Sequence, residues 1–338
     1  MILEVKNYQY KINHKINCFV SALIYAMLNK GISITPVDAM LYTKAVNFKA
    51  RIDFEENGLP TLEVIPVELD FFDKFAETTN IVLEHYSNLN REEDIKVISD
   101  SIKENTCVTA ITDQYQIGFA ISEQYKKIFP PDARMPHHFI TIHGIDTDNG
   151  RVLFSESSFS LRKYDHWFEY DVFENARKSK WYELEINKDL YIVKDVSGFV
   201  LPNAYKILKQ QIVVLIEQLR SGLDVMENFY GMYIDGHDDQ KLIATNFKAL
   251  LLSCAMFDQS GYVYRNYLTA GVAKSVKNRK IVSDYKALEK KWHSFNKTVL
   301  KFNEAGKTGY NDYCELYKTM LGVIEYELET HLNTLNKL

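Results

Sequence analysis

Hydrophobic and polar positions follow two rhythms along this chain, and the change falls near residue 200. Before it, short apolar runs separated by turn residues predict a mixture of strands and helices. Cys18-Phe-Val-Ser-Ala-Leu-Ile-Tyr-Ala-Met-Leu-Asn-Lys-Gly31 reads as a helix closed by Gly31. Leu62–Glu68 reads as a broken strand and Asn80–Tyr86 as another. Arg91–Glu104 carries Ile95, Ile98 and Ile102 at the three-and-four spacing of an amphipathic helix. Cys107–Thr112 is a buried strand, and His138–Ile145 and Arg151–Ser158 form a hairpin about Asn149-Gly150. From about Pro202, Val213–Leu219, Leu242–Met256, Val282–Phe302 and Tyr313–Leu338 are long helical patterns, punctuated by Gly222, Gly261 and Gly306. The expected fold class is therefore α+β: a mixed domain over 1–195 and an appended all-helical C-terminal domain over 196–338.

Composition narrows the class. With 338 residues, 46% apolar and 25% charged, the chain has the make-up of a globular protein with a sizeable core. A formal charge of -5 argues against a general nucleic-acid binder, so no nucleic-acid partner is expected. Met1-Ile-Leu-Glu-Val-Lys turns charged at once, unlike a signal peptide, and no apolar run is long enough to span a bilayer. Cys18, Cys107, Cys254 and Cys314 are far apart and include no CxxC pair. A cytoplasmic protein with reduced thiols and no membrane partner is the expectation. The excess of aromatic residues (22 Tyr and 19 Phe) suits packing and also an apolar substrate wall.

Candidate chemistry concentrates in two places. Cys18 opens a helix, where the aligned peptide dipoles favour a thiolate. A histidine from His137-His138-Phe-Ile-Thr-Ile-His143, brought beside it by the fold, would take its proton and return it to a leaving group. That pair attacks carbonyls. Strand alternation points His137 and His143 away from the face that His138 uses. The alternative for any one cysteine is a small buried hydrophobe, and Cys107, Cys254 and Cys314 are read that way. Asp-Gly-His237-Asp-Asp239 has metal-like letters without a second cluster, so no metal is expected. No Gly-rich phosphate loop is present, so no nucleotide cofactor is expected either. Lys274, Lys277, Arg279 and Lys280 make a local basic patch, with Arg162, Lys163, Arg177, Lys178 and Lys180 as a second basic stretch.

Across residues 107–177 the chain reads Cys107-Val-Thr-Ala-Ile-Thr-Asp113-Gln-Tyr115, then His138-Phe-Ile-Thr-Ile-His-Gly-Ile-Asp146. Arg151-Val-Leu-Phe-Ser-Glu156 and Tyr170-Asp-Val-Phe-Glu-Asn-Ala176-Arg177 follow. Together with the Cys18 helix, this order resembles the butirosin acyltransferase (butirosin biosynthesis protein H-like) family. That family in turn resembles papain-like peptidases of the bacteriocin-processing type. Tyr264-Arg265-Asn-Tyr-Leu268 and Trp292 are similar to the family's helical second domain. The resemblance implies a papain-like cysteine-protease fold that moves acyl groups from an acyl or peptidyl carrier protein onto a small amine or diamine. The acyl group would arrive on a phosphopantetheine arm, with no cofactor bound by the chain itself.

By the same resemblance Cys18 matches the nucleophile and His138 the general base. Glu156 stands where the family offers an Asp to orient the imidazole; Asp146 is the next carboxylate, read as a turn-former. The family's oxyanion Gln is replaced by Ile12, leaving Asn13 or Asn17, and less readily His14, as side-chain donors, with Asn17 also placed as an N-cap. Two rival functions share these residues. One is a cysteine peptidase or thioesterase that uses water; the other is a non-enzymatic binding module on the same scaffold.

Overall fold

The computed structural model describes residues 1–8, 18–54, 58–67, 70–121, 138–155, 165–178, 180–181, 184–185, 188–234, 240–246, 261–307 and 309–338. Glu156, Asn13, Asn17, Ile12, His14, His137, Arg162, Lys163, the His237–Asp239 loop and Cys254 lie outside them. The chain divides into two compact units, Met1–Ala39 with Phe72–Val200 and Met40–Phe71 with Leu201–Leu338. Sequence texture suggests a single cut between 195 and 196; in the structure the second unit also takes in a segment from early in the chain. The architecture is α+β, an antiparallel sheet together with helices that fill the C-terminal half.

In the first unit, β1 (Ile2–Glu4), β4 (Val82–Tyr86), β5 (Val108–Thr112), β6 (His138–Asp146), β7 (Arg151–Ser155), β8 (Asp165–Glu169) and β11 (Leu190–Asp195) make one sheet. Its order is β4-β11-β5-β6-β7-β8, and every pairing is antiparallel. β1 lies along β6 at residues 144–146, beyond the stretch paired with β5. Helices α1 (Cys18–Asn29) and α4 (Arg91–Lys103) pack on this sheet. α4 begins where its sequence marks a start. Asn90 and Glu93 form a reciprocal capping box, and Ile98 and Ile102 turn inward. The remaining elements of this unit are α2 (Pro36–Tyr42, whose last three residues fall in the other unit), α3 (Phe71–Thr79, whose first residue falls in the other unit), α5 (Gln114–Ile121), α6 (Tyr170–Ala176) and the short strands β9 (Lys180–Trp181) and β10 (Leu184–Glu185). The core runs through aromatic rings: Phe139 meets Phe19 at 6.3 Å and Phe72 at 6.1 Å, and Phe72 stacks on Tyr191 at 5.0 Å.

A buried ion pair ties α4 to the end of α6. Arg177 donates to Asp94 at 2.6 Å, Tyr170 donates to the same carboxylate, and the guanidinium lies over the Phe173 ring. Arg177 is wholly buried, so it leaves the second basic stretch as a docking residue, and Lys178 is paired with Glu174. An arginine in a charge run reads as surface, yet here a buried carboxylate holds it inside.

The second unit joins a hairpin to long helices. β2 (Val46–Phe54) pairs with β3 (Pro60–Val67) and packs on α7 (Ala204–Phe229). The expectations above place no strand at 46–54, although Val46, Phe48, Ala50, Ile52 and Phe54 alternate with polar residues. Gly222 does not end a helix: it sits inside α7 because a Cβ there would come 2.6 Å from the Phe48 ring. Gly306 does mark a turn, with φ +64° between two helices.

Helices α8 (Gly261–Ser275), α9 (Arg279–Glu304) and α10 (Tyr310–Leu335) converge on Glu327. Arg265 clamps that carboxylate at 3.0 Å, Trp292 Nε1 donates to it at 2.6 Å, and His331 Nε2 lies 3.3 Å away. Tyr285 bonds the other nitrogen of His331 at 2.7 Å, and Arg265 also donates to the Asn47 carbonyl of β2. Burial by itself raises the Glu327 carboxyl, but the Arg265 charge and His331 more than offset this and hold it at about 2.

Candidate active site

Cys18 is the first residue of α1 and is a free, half-buried thiol. The helix forms because Phe19, Val20, Leu23 and Met27 bury against the sheet, and no acidic residue stands in its first turn. Gly31, at φ +79°, follows its end as expected of a C′ glycine. Cys107 shows the contrast. It is buried at the head of β5, and desolvation pushes its thiol up to about 12.

The end of α1 is pinned beside Cys107. Asn29 accepts from the Cys107 N–H at 2.9 Å and donates to the Asn105 carbonyl at 3.2 Å, and Lys30 donates to Thr106 at 2.7 Å. From there the helix runs back for roughly 16 Å over its twelve residues. β5 covers roughly 17 Å between Cys107 and Thr112. Cys18 therefore comes level with Thr112 and with that residue's register partner, His138. The next residues along, Phe19 and Phe139, touch through their rings at 6.3 Å. Thr112 donates its hydroxyl to the His138 carbonyl at 3.0 Å, and His138 is 2% exposed. The fold thus brings Cys18 and His138, 120 residues apart in sequence, to one end of the sheet.

Orientation is less direct than level. Directly opposed residues share a face, and successive residues alternate. Phe139 faces α1, so His138 and Thr112 leave from the opposite face.

His143 sits elsewhere. Five residues along β6 put it roughly 16 Å from His138. Its ring stacks on Tyr8 at 4.2 Å, beside the Tyr8–Ser155 hydrogen bond of 2.7 Å. Asp146, the last residue of β6, accepts from Arg151 at 2.8 Å and from Asn149. Those bonds hold its carboxyl at about 2, the behaviour of a turn-former. A different carboxylate lies near the His138 end. Asp113 follows Thr112, is fully buried, and accepts from the Gln116 N–H at 3.2 Å as the cap of α5. Its sequence signal was a charged residue closing an otherwise buried strand.

Among the described residues no group of three His, Cys, Asp or Glu side chains is placed to hold a metal ion, and no helix is long and apolar enough to cross a membrane. Of the basic patch, Lys280 is already paired with Asp284 at 2.6 Å, while Lys277 and Arg279 are exposed. Comparison with protein-family models and with curated proteins returned no match.

Proposed function

We propose that this protein is a cysteine-nucleophile acyltransferase of papain-like fold, forming an amide between a carrier-bound acyl thioester and a small amine or diamine. One observation carries the reading: a free, half-buried thiol on the first residue of α1, level with His138 at the end of the sheet where the neighbouring Phe19 and Phe139 rings meet. In this scheme His138 takes the Cys18 proton and the thiolate adds to the thioester carbonyl. Collapse of the adduct expels the phosphopantetheine thiol, which leaves with the proton from His138. The amine then attacks the acyl-enzyme, His138 accepts its proton, and Cys18 is released. A thioester is activated enough that this sequence needs no nucleotide. Asp113 or Glu156 orients the imidazole. Amide formation over hydrolysis requires that water be excluded at the second step.

The experiment is intact-mass spectrometry of the protein after incubation with an acyl-N-acetylcysteamine thioester and with an acyl-loaded carrier protein. The expected result is an acyl increment on Cys18, absent in Cys18→Ala and discharged by a diamine as amide. Discharge by water alone would make the protein a thioesterase or peptidase.

The opposed face of His138 favours a second reading, a binding module that has kept the scaffold without the chemistry. Iodoacetamide separates the two: a folded protein whose Cys18 resists alkylation and acylation alike sinks the enzyme reading.

A further inference from the structure

Helices α9 and α10 form an antiparallel pair whose outer face carries opposite charges on its two crests. On α9, Lys286, Lys290, Lys297 and Lys301 follow one helical face, all exposed, and none is in an ion pair among the described residues. On α10 the outward residues are Glu315, Lys318, Gly322, Glu325 and Glu329. Lys318 is drawn aside, its ammonium over the Tyr230 ring at 5.8 Å. Between the crests lies a trough of about 310 Å³ lined by Lys290, Lys291, Ser294, Phe295, Thr298, Thr319 and Val323. Thr298 and Thr319 spend their hydroxyl protons on backbone carbonyls one turn back, at 3.0 and 2.8 Å.

Two features are unfavourable in an isolated chain. Lysines at i and i+4 repel, and this happens twice on α9. Glycine disfavours a helix interior, yet Gly322 lies mid-helix and exposed with nothing within 4 Å of a Cβ built on it. A second helix pressed against this face relieves the first and gives the second a purpose, since a missing side chain permits close approach.

We infer that the α9–α10 face binds a second copy of itself in a two-fold dimer. A two-fold axis lying in the face and parallel to the helices sets α9 of one copy antiparallel over α10 of the other. Lys291 lies over the Tyr326 ring at 4.4 Å, which fixes the level of the two helices within a copy. Stepping outward from that contact, Lys301 is level with Glu315, Lys290 with Glu325, and Lys286 and Lys290 flank the level of Glu329. Ser294 and Gly322 meet near the middle, where both residues are small. The other two-fold, perpendicular to the helices, sets lysine over lysine and is excluded by repulsion. Charge complementarity is thus specific to one arrangement.

The stretch from Lys286 to Lys301 is roughly 22 Å long and two helices are roughly 20 Å wide, so a dimer buries about 900 Å² in total. That lies below the standard interface size, so association is weak, in the micromolar to millimolar range. Sedimentation velocity of the full chain over concentration, at low and high salt, reads it directly. A dimer that dissociates as salt rises is expected. Lys290→Glu with Lys301→Glu, and separately Glu315→Lys with Glu329→Lys, should each abolish self-association while circular dichroism stays unchanged. Mixed together, the two variants should form a heterodimer, an outcome that a merely misfolded variant would not produce. A wild-type chain that stays monomeric to about 0.5 mM at low salt overturns the inference. So does a dimer indifferent to both reversals, or a mixture that fails to pair.

Discussion

Glu327→Gln should strongly destabilise the second unit, and the structure says why. The carboxylate is fully buried and is the shared partner of Arg265, Trp292 and His331. Arg265 is 2% exposed, so neutralising Glu327 leaves a guanidinium charge that water cannot reach. Removing one member of a buried ion pair costs about 3–5 kcal/mol, and the weakened acceptor for Trp292 and His331 adds to it. For a unit of this size the loss corresponds to a fall of roughly 10 °C in melting temperature. Trp292 touches the altered group, so its fluorescence in a Trp167→Phe, Trp181→Phe background reports unfolding of this unit directly. Urea titration of that protein gives the free-energy change. Replacing the pair, with Arg265→Met and Glu327→Leu together, should recover much of the loss, because no buried charge is then left unpaired. A Glu327→Gln variant within about 1 kcal/mol of wild type would refute the claim that this network carries the α8–α10 core.

Three further outcomes follow from individual sites. Gly222→Ala should destabilise by about 1–3 kcal/mol despite alanine's better helix propensity, because the added methyl meets the buried Phe48 ring; a more stable variant in chemical denaturation would show the ring has room. Competitive alkylation of the folded protein at neutral pH should label Cys18 and spare Cys107, whose thiol is raised to about 12, and equal labelling of both would mean the sheet opens readily. His85 donates to Asp189 at 2.9 Å with Asp73 at 3.9 Å, which raises its affinity for a proton. That contribution is fully present below the ordinary histidine range, about pH 6, and is lost as pH rises through the raised value. Stability relative to His85→Asn should therefore fall from acid to alkaline pH, and a parallel pair of pH profiles would remove the ion pair from the account.

Local pattern decided much of this protein by itself. The amphipathic spacing in Arg91–Glu104, the apolar run at Cys107–Thr112, Gly31 after the first helix and Asn149-Gly150 between two strands each lead to an element close to where the pattern puts it. These signals are legible because they report which residues of one window face water, and nearest-neighbour physics sets that. They do not report what covers the apolar side. Only the tertiary structure decided that the 46–67 hairpin joins the helical unit, that Gly222 makes room for Phe48 instead of ending a helix, and that Arg177 is buried on Asp94. The same limit applies to the candidate site. Sequence singled out Cys18 and His138 by their chemistry, but their common level depends on Asn29 bonding Cys107 and on the register of β5 with β6. Strand alternation, readable from the start, says that His138 and Phe139 part company. Which of them faces α1 was set by packing, because either face of a strand buried on both sides reads alike.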